Sequence, residues 1–192
     1  MTDKTIILIR HGATASNERK AYIGITDEPL SKIGVSQIKS RTYPKVDIVF
    51  SSPLIRCIET AQIIYPEKEI NIIQNLRETD FGIFEGKNYQ DLSNNADYQA
   101  WIDSGGTAAF PGGESREVAV ERSIDGFERV LNLSGEAKLV SVIAHGGTIM
   151  AILSHYFGGD YYSYHIENGE GYTFDLSHNG IFSGLHPGSF LR

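Results

Sequence analysis

TIILIRHGATASN, residues 5–17, decides how the rest of the chain is read. Ile6–Ile9 is an unbroken aliphatic run with no polar alternation. Such a run suits a strand covered on both faces, as in a parallel sheet flanked by helices. It stops at Arg10 and His11, two adjacent groups that can both be cationic, and passes into Gly12 and small polar residues. Like charges side by side at a strand end are unfavourable unless an anion sits against both.

Working outward, Asp47–Ser52 and Leu139–Gly147 have the same character as Thr5–Arg10. Asn71–Asn75 is a weaker strand candidate, and Gly171–Ser177 alternates as an edge strand does. Helices fall between them. One starts from Ser31 as N-cap. A second takes Ser52 as N-cap with Pro53 in its first turn and an apolar face of Leu54, Ile58, Ala61 and Tyr65. A third, within 113–132, carries Val120, Ile124, Phe127 and Leu131 at helical spacing. Gly126 weakens it by about 1 kcal/mol relative to alanine. The apolar stretch from Gly147 to Phe157 reads as a core helix. Alternating strands and helices predict an α/β fold around a mostly parallel sheet. Residues 82–113, rich in Gly and Pro loops, read as a covering insertion within one domain spanning 1–192. The tail after Ser177 offers an Asn-Gly turn and little else.

Composition narrows the function. A chain of 192 residues with a net charge of −7 lacks the basic footprint of a nucleic-acid binder, so any anionic ligand needs local positive charge. No apolar stretch approaches the roughly 20 residues of a spanning helix, and the N-terminal run is too short for a signal peptide. The expected location is the cytoplasm. The one cysteine, Cys57, permits no internal disulfide and reads as a small apolar packing residue. His155, His165, His178 and His186 have no metal-ligand spacing, and neither a Walker loop nor a GxSxG elbow is present. No metal or cofactor is expected.

Ligands of open α/β sheets bind beyond the carboxyl ends of the strands. Here those ends carry Arg10 and His11, then Arg56 in the opening turn of the next helix, then His145, Gly146 and Gly147. Two histidines and two arginines on one sheet edge suit phosphoryl transfer. Arginine matches phosphate oxygens with planar multi-donor contacts. A neutral histidine is a competent nucleophile, and a second donor stabilises charge in flight. The leaving oxygen needs a proton. Glu78, Asp80 and Glu85 are the candidates, and Glu78 falls nearest the same edge.

RHGATASN, YIGITDEPLSKIG, SSPLIRCIETA, LRETDFGIFEG, PGGES and VIAHGGTI occur here in the order found in the histidine phosphatase superfamily, also called phosphoglycerate-mutase-like. The chain resembles that family from about residue 5 to 155. The resemblance implies a three-layer αβα sandwich. It implies His11 as the nucleophile that becomes phosphohistidine, with Arg10, Arg56 and His145 completing a phosphate pocket. Thr14 and Asn17 match polar contacts, Ile23 and Gly24 a dipeptide that meets substrate through its backbone, and Gly146 a backbone donor. Glu78 matches the proton donor.

The expected activity is metal-independent hydrolysis of a small-molecule phosphomonoester. Within the family the motif pattern is similar to alpha-ribazole phosphatases, which makes alpha-ribazole phosphate a candidate substrate. Phe84, Tyr89, Tyr98, Trp101 and Phe110 in the insertion could cover its bulky riboside or could equally be core. The alternatives are mutase-type transfer, for which Lys87 and Arg116 are the insertion's only basic neighbours, and a phospho-ligand binding module without turnover.

Overall fold

The computed structural model describes residues 3–188. One sheet contains β1 (Lys4–Arg10), β2 (Ile48–Ser51), β3 (Ile70–Ile72), β4 (Leu139–Ala144), β5 (Gly171–Leu176) and β6 (Phe182–Pro187). Their spatial order is β3-β2-β4-β1-β5-β6. The pairs among β3, β2, β4 and β1 are parallel, whereas β5 runs antiparallel to both β1 and β6. The helices are α1 (Ala15–Glu18), α2 (Lys32–Lys39), α3 (Ile55–Ile64), α4 (Ala96–Asp103), α5 (Arg116–Leu133) and α6 (Gly146–Phe157).

The unalternating run in β1 has the expected cause. Successive side chains point to opposite faces, and both faces are covered. Ile6 and Leu8 pack with Phe127 and Val130 of α5 and Ile149 and Ile152 of α6. Ile7 and Ile9 pack with Cys57 and Ala61 of α3. Helices therefore lie on both sides of an α/β sheet.

Several local readings change. Gly171–Leu176 is not an edge strand: β5 lies between β1 and β6, and the tail supplies the edge. Ser52 does not cap α3. The cap position is Leu54, with no side-chain cap, and Pro53 stands two residues before the helix. The buried residues of α3 are Arg56, Cys57, Thr60 and Ala61; of the predicted stripe, Ala61 and the C-cap residue Tyr65 are buried, whereas Leu54 and Ile58 are not. In α5 the buried positions are Ala119, Ser123, Gly126, Phe127 and Val130. That face includes Gly126 because a Cβ there would stand 2.9 Å from the Asn75 carbonyl carbon. The weak helix former is the residue that lets α5 reach the 3-10 turn at Gln74–Leu76. The second half of the predicted strand Asn71–Asn75 is consumed by that turn.

Within residues 82–113, Phe84, Leu92 and Phe110 are buried together, with Tyr22, Phe81, Tyr98 and Trp101 against them. Tyr89, expected in this group, is exposed. Among the described residues no helix is long and apolar enough to cross a membrane.

Candidate active site

Strand register brings the site together. Arg10 pairs with Ala144 across β1 and β4, so the next residues, His11 and His145, leave the sheet side by side. Their ring centroids are 5.1 Å apart at 62°. Ser51 pairs with Ile143, which brings Ser52 level with the end of β4. Its Oγ lies 2.7 Å from His145 Nε2, a contact that replaces the expected cap.

His11 is held by its own turn. Nδ1 lies 2.7 Å from the Gly12 carbonyl oxygen. A carbonyl only accepts, so a neutral His11 carries its proton on Nδ1 and keeps a lone pair on Nε2. Burial, then Arg56 and Arg10, hold the His11 imidazole well below its ordinary value. Burial, then Arg56 and His11, do the same to His145. Burial and the two guanidinium charges thus favour the neutral form of both rings. Neutrality is how the strand end tolerates a histidine beside Arg10.

The two arginines are anchored from behind. Arg56, with no exposed surface, donates through Nη1 to the Thr26 carbonyl at 2.9 Å and through Nη2 to that of Gly24 at 2.6 Å. Arg10 donates through Nη1 to the Ile166 carbonyl at 2.6 Å. Burial draws the Arg10 guanidinium down, against the pull of Glu78 and Glu167. The Nε–H groups of both arginines are buried without a partner. Unpaired buried donors of this kind are costly unless a ligand satisfies them.

Glu78 is 7% exposed. Oε1 accepts from the Thr79 N–H at 2.9 Å and Oε2 from the Gly147 N–H at 3.1 Å. The phenol of Tyr161 donates to the Gly147 carbonyl at 3.1 Å, fixing the same residue from its other side. The segment leading to Glu78 is clamped by Arg122, whose Nη1 donates to the carbonyls of Asn75 and Arg77. Arg122 also pairs with Glu114 at 2.6 Å. Burial acts upward on Glu114, but Arg122, the Asp80 N–H and Arg77 together outweigh it and keep the carboxylate below its ordinary range.

The rival acids are occupied. Glu85 accepts from the backbone of Gly24, Ile25, Thr26 and Phe81 and from the Thr26 hydroxyl. Asp80 accepts from the Gly82 N–H. Gly24 is needed at this crossing, since a Cβ would stand 1.9 Å from the Thr79 carbonyl oxygen.

A cavity of about 580 Å³ opens here. Its walls include six residues singled out in the sequence: Arg10, His11, Asn17, Ile23, Glu78 and Gly146. Arg56, His145, Gly24 and Thr14 are not on that wall. Thr14 is fully buried and caps α1, accepting from the Asn17 N–H while Asn17 Oδ1 accepts from the Thr14 N–H. Lys20, Tyr22, Met150, His165, Glu167 and Asn168 also line the cavity, and sequence reasoning missed them as site residues. Asn168 donates to the His11 carbonyl at 3.0 Å. This segment precedes β5, and nothing in the sequence marked it as part of the site. Cys57 is buried as expected, its thiol pushed up to about 12 by desolvation, but it also lies 3.5 Å from His145 Nε2.

The profile of the histidine phosphatase superfamily (branch 1) matches residues 6–183. An uncharacterized phosphatase (PhoE) of Bacillus subtilis is 31% identical over 161 residues, covering 81% of this chain and 78% of its own. A 2,3-bisphosphoglycerate-dependent phosphoglycerate mutase of Rhizobium etli is 29% identical over 168 residues, covering 77% and 78%. In structure, the alpha-ribazole phosphatase of Shigella flexneri superposes with a TM-score of 0.81 over 93% of each chain at 23% identity, a likeness of fold.

Proposed function

This chain belongs to the histidine phosphatase superfamily, and we propose that it hydrolyses a small-molecule phosphomonoester through a phosphohistidine on His11. The observation that carries the reading is the His11 turn. The Nδ1–Gly12 contact leaves the Nε2 lone pair free, on a residue that lines a cavity with Arg10 and Glu78.

In the first half, Nε2 attacks phosphorus in line with the ester bond. The N–P bond forms and the P–O bond breaks. Its electron pair goes to the leaving oxygen, which takes a proton from Glu78. In the second half, Glu78 takes a proton from water as the water oxygen attacks phosphorus. The N–P bond breaks, its pair returns to Nε2, and inorganic phosphate departs. Arg10, Arg56, His145 and the Gly146 N–H stabilise the phosphoryl oxygens throughout. The arginines supply the positive charge, so no step is assigned to a metal. Asn17 and Ile23 shape the wall around the ester, Gly24 acts from behind it by holding Arg56 through its carbonyl, and Thr14 acts by fixing Asn17.

The candidate substrate is alpha-ribazole phosphate, supported by Trp101 and Phe110 of the insertion, which line a smaller cavity adjoining the first. Transfer to a second hydroxyl, as in the mutase relative, is the alternative. It would require cations for a second anionic group. Beyond Arg10 the cavity wall offers as cations only Lys20 and His165, and His165 faces the Glu167 carboxylate at 3.8 Å, which favours water as acceptor.

The test is phosphate release from alpha-ribazole phosphate, phosphoserine and phosphoglycerate with chelator present, with acid-quenched labelling of the enzyme. Turnover with an acid-labile phosphoenzyme that His11→Ala abolishes is expected. Labelling retained in that variant, or turnover only with added bisphosphoglycerate, overturns the reading.

A further inference from the structure

The cavity wall between the end of β1 and the start of β5 carries two carboxamides, Asn17 and Asn168, in contact with each other. We infer that Asn168 is a positioning residue: it holds the Asn17 carboxamide and the His11 main chain together, so that Asn17 Nδ2 is presented to the phosphoryl group. The inference rests on the placement of that group at His11 proposed above.

The two ends of each carboxamide are settled by their partners. The His11 carbonyl only accepts, so the Asn168 atom 3.0 Å from it is Nδ2. The same nitrogen lies 3.3 Å from Asn17, whose atom there must be the acceptor Oδ1. Thr14 gives the same answer independently. Its N–H, a donor only, meets Asn17 Oδ1 at 3.1 Å, and its hydroxyl donates to the same oxygen at 3.2 Å. Every hydrogen bond of the Asn17 carboxamide thus ends on Oδ1. Nδ2 keeps both protons without a protein acceptor among the described residues, on a side chain that lines the cavity with Arg10 and His11. A phosphoryl oxygen is the acceptor that such a fixed neutral donor suits.

Asn168 can set this arrangement because its own segment is fixed from behind. Arg41 Nη1 donates to the Asn168 carbonyl at 2.9 Å, and Arg41 Nη2 pairs with Glu170 at 3.3 Å. The Tyr43 hydroxyl donates to the Gly169 carbonyl at 2.9 Å. The Gly169 N–H reaches the carbonyls of Arg10 and His11 at 3.0 and 3.2 Å. Gly169 has φ +75°, and a Cβ there would stand 2.7 Å from Arg41 Nη1, so glycine lets Arg41 pack against this turn. The Gly169 N–H also bounds what Asn168 does alone. It still satisfies the His11 carbonyl when the Asn168 side chain is removed, so what is lost is the strap to Asn17.

The test is a double-mutant cycle read by calorimetric titration of inorganic phosphate, which needs no chemistry. Asn168→Ala should weaken phosphate binding by about three- to tenfold in the wild-type background. In Asn17→Ala it should cost less than about twofold, because its effect passes through Asn17. A residue that only stabilised the fold would cost the same in both. Turnover adds a second reading. Asn17 meets the phosphoryl group and not the leaving oxygen, so kcat/KM of Asn168→Ala should fall equally for alkyl and nitrophenyl phosphates. In isotope-labelled wild type, the side-chain amide signals of Asn17, assigned by connectivity to its backbone, should shift on phosphate titration. That reading stands even where the double variant does not fold.

Equal losses of phosphate binding in the two backgrounds, no loss in the wild-type background, or an Asn17 amide that phosphate leaves unmoved overturns the inference. A kcat/KM loss confined to the alkyl ester overturns it as well, by assigning Asn168 to the support of Glu78. Phosphate binding that depends on both asparagines together, in a protein that hydrolyses no ester, keeps the role of Asn168 and sinks the hydrolase reading. Hydrolysis with additive binding losses does the reverse.

Discussion

Alanine at Gly147 should damage catalysis without damaging the fold. Gly147 is the second residue of α6, where alanine favours the helix by about 1 kcal/mol over glycine. Its Cβ, however, would stand 2.5 Å from Glu78 Oε1 and 3.3 Å from the carboxylate carbon. Restoring even a tight 3.0 Å contact moves that oxygen by 0.5 Å (3.0 − 2.5), and an ordinary 3.4 Å contact moves it by 0.9 Å (3.4 − 2.5). The Gly147 N–H to Oε2 bond of 3.1 Å is disturbed by the same motion. A displacement near 1 Å costs on the order of 100-fold in a positioned reaction. Gly147→Ala should therefore lower kcat/KM for an alkyl phosphate by about 10- to 100-fold. Nitrophenyl phosphate, whose leaving group needs little protonation, should lose only about threefold. Phosphate release from both esters, alongside a thermal melt, reads the difference. Equal losses on the two esters, or no loss on the alkyl ester at an unchanged melting temperature, would refute Glu78 as the proton donor.

Acid should destabilise the protein before its carboxylates titrate. His11 and His145 sit well below their ordinary value in the fold, so below pH about 6.5 the unfolded chain binds protons that the folded one does not. Stability should be level above that pH and fall beneath it, by up to about 1.4 kcal/mol per pH unit for each histidine. Urea midpoints at pH 7.5, 6.5 and 5.5 measure this; a midpoint that does not fall, or a slope unchanged in His145→Asn, contradicts the burial account. Glu85→Gln should raise KM and lose about 2 kcal/mol of stability, because Glu85 seats the loop whose Gly24 and Thr26 carbonyls hold Arg56. An unchanged KM would separate that loop from phosphate binding. Gly126→Ala should destabilise by about 1–3 kcal/mol despite its better helix propensity, since its Cβ meets backbone at Asn75; a more stable variant would show that α5 has room to shift.

What was legible in the sequence follows from what leaves a local signature. A strand covered on both faces writes itself as an aliphatic run, so β1, β2 and β4 could be located, and with them the places where Arg10, His11 and His145 leave the sheet. Parallel winding then gathers those ends on one edge without any knowledge of contacts. Facing directions of helices were less legible. In α5, small residues at Ala119, Ser123 and Gly126 mark close approach to a neighbour, and a reading that scores only large apolar side chains rotates the helix away from it. Ser52 was misread because a serine before Pro53 looks the same whether it caps a helix or meets a histidine 93 residues away. The cavity wall at His165–Asn168 has no periodicity and no motif. It belongs to the site because β5 runs against β1 and so begins at the edge where β1 ends.

The placement of β1 has a consequence during synthesis. β1 precedes the other strands of its sheet in the chain yet is an interior one, flanked by β4 and β5, and its nearest partner begins only at Leu139. At roughly 5–20 residues per second, the ribosome needs on the order of ten seconds to deliver that partner. For that interval a four-residue aliphatic segment with open hydrogen-bonding groups on both sides waits in the nascent chain. Slowed translation between α3 and β4 prolongs that exposure and should lower soluble yield more than slowed translation after β5.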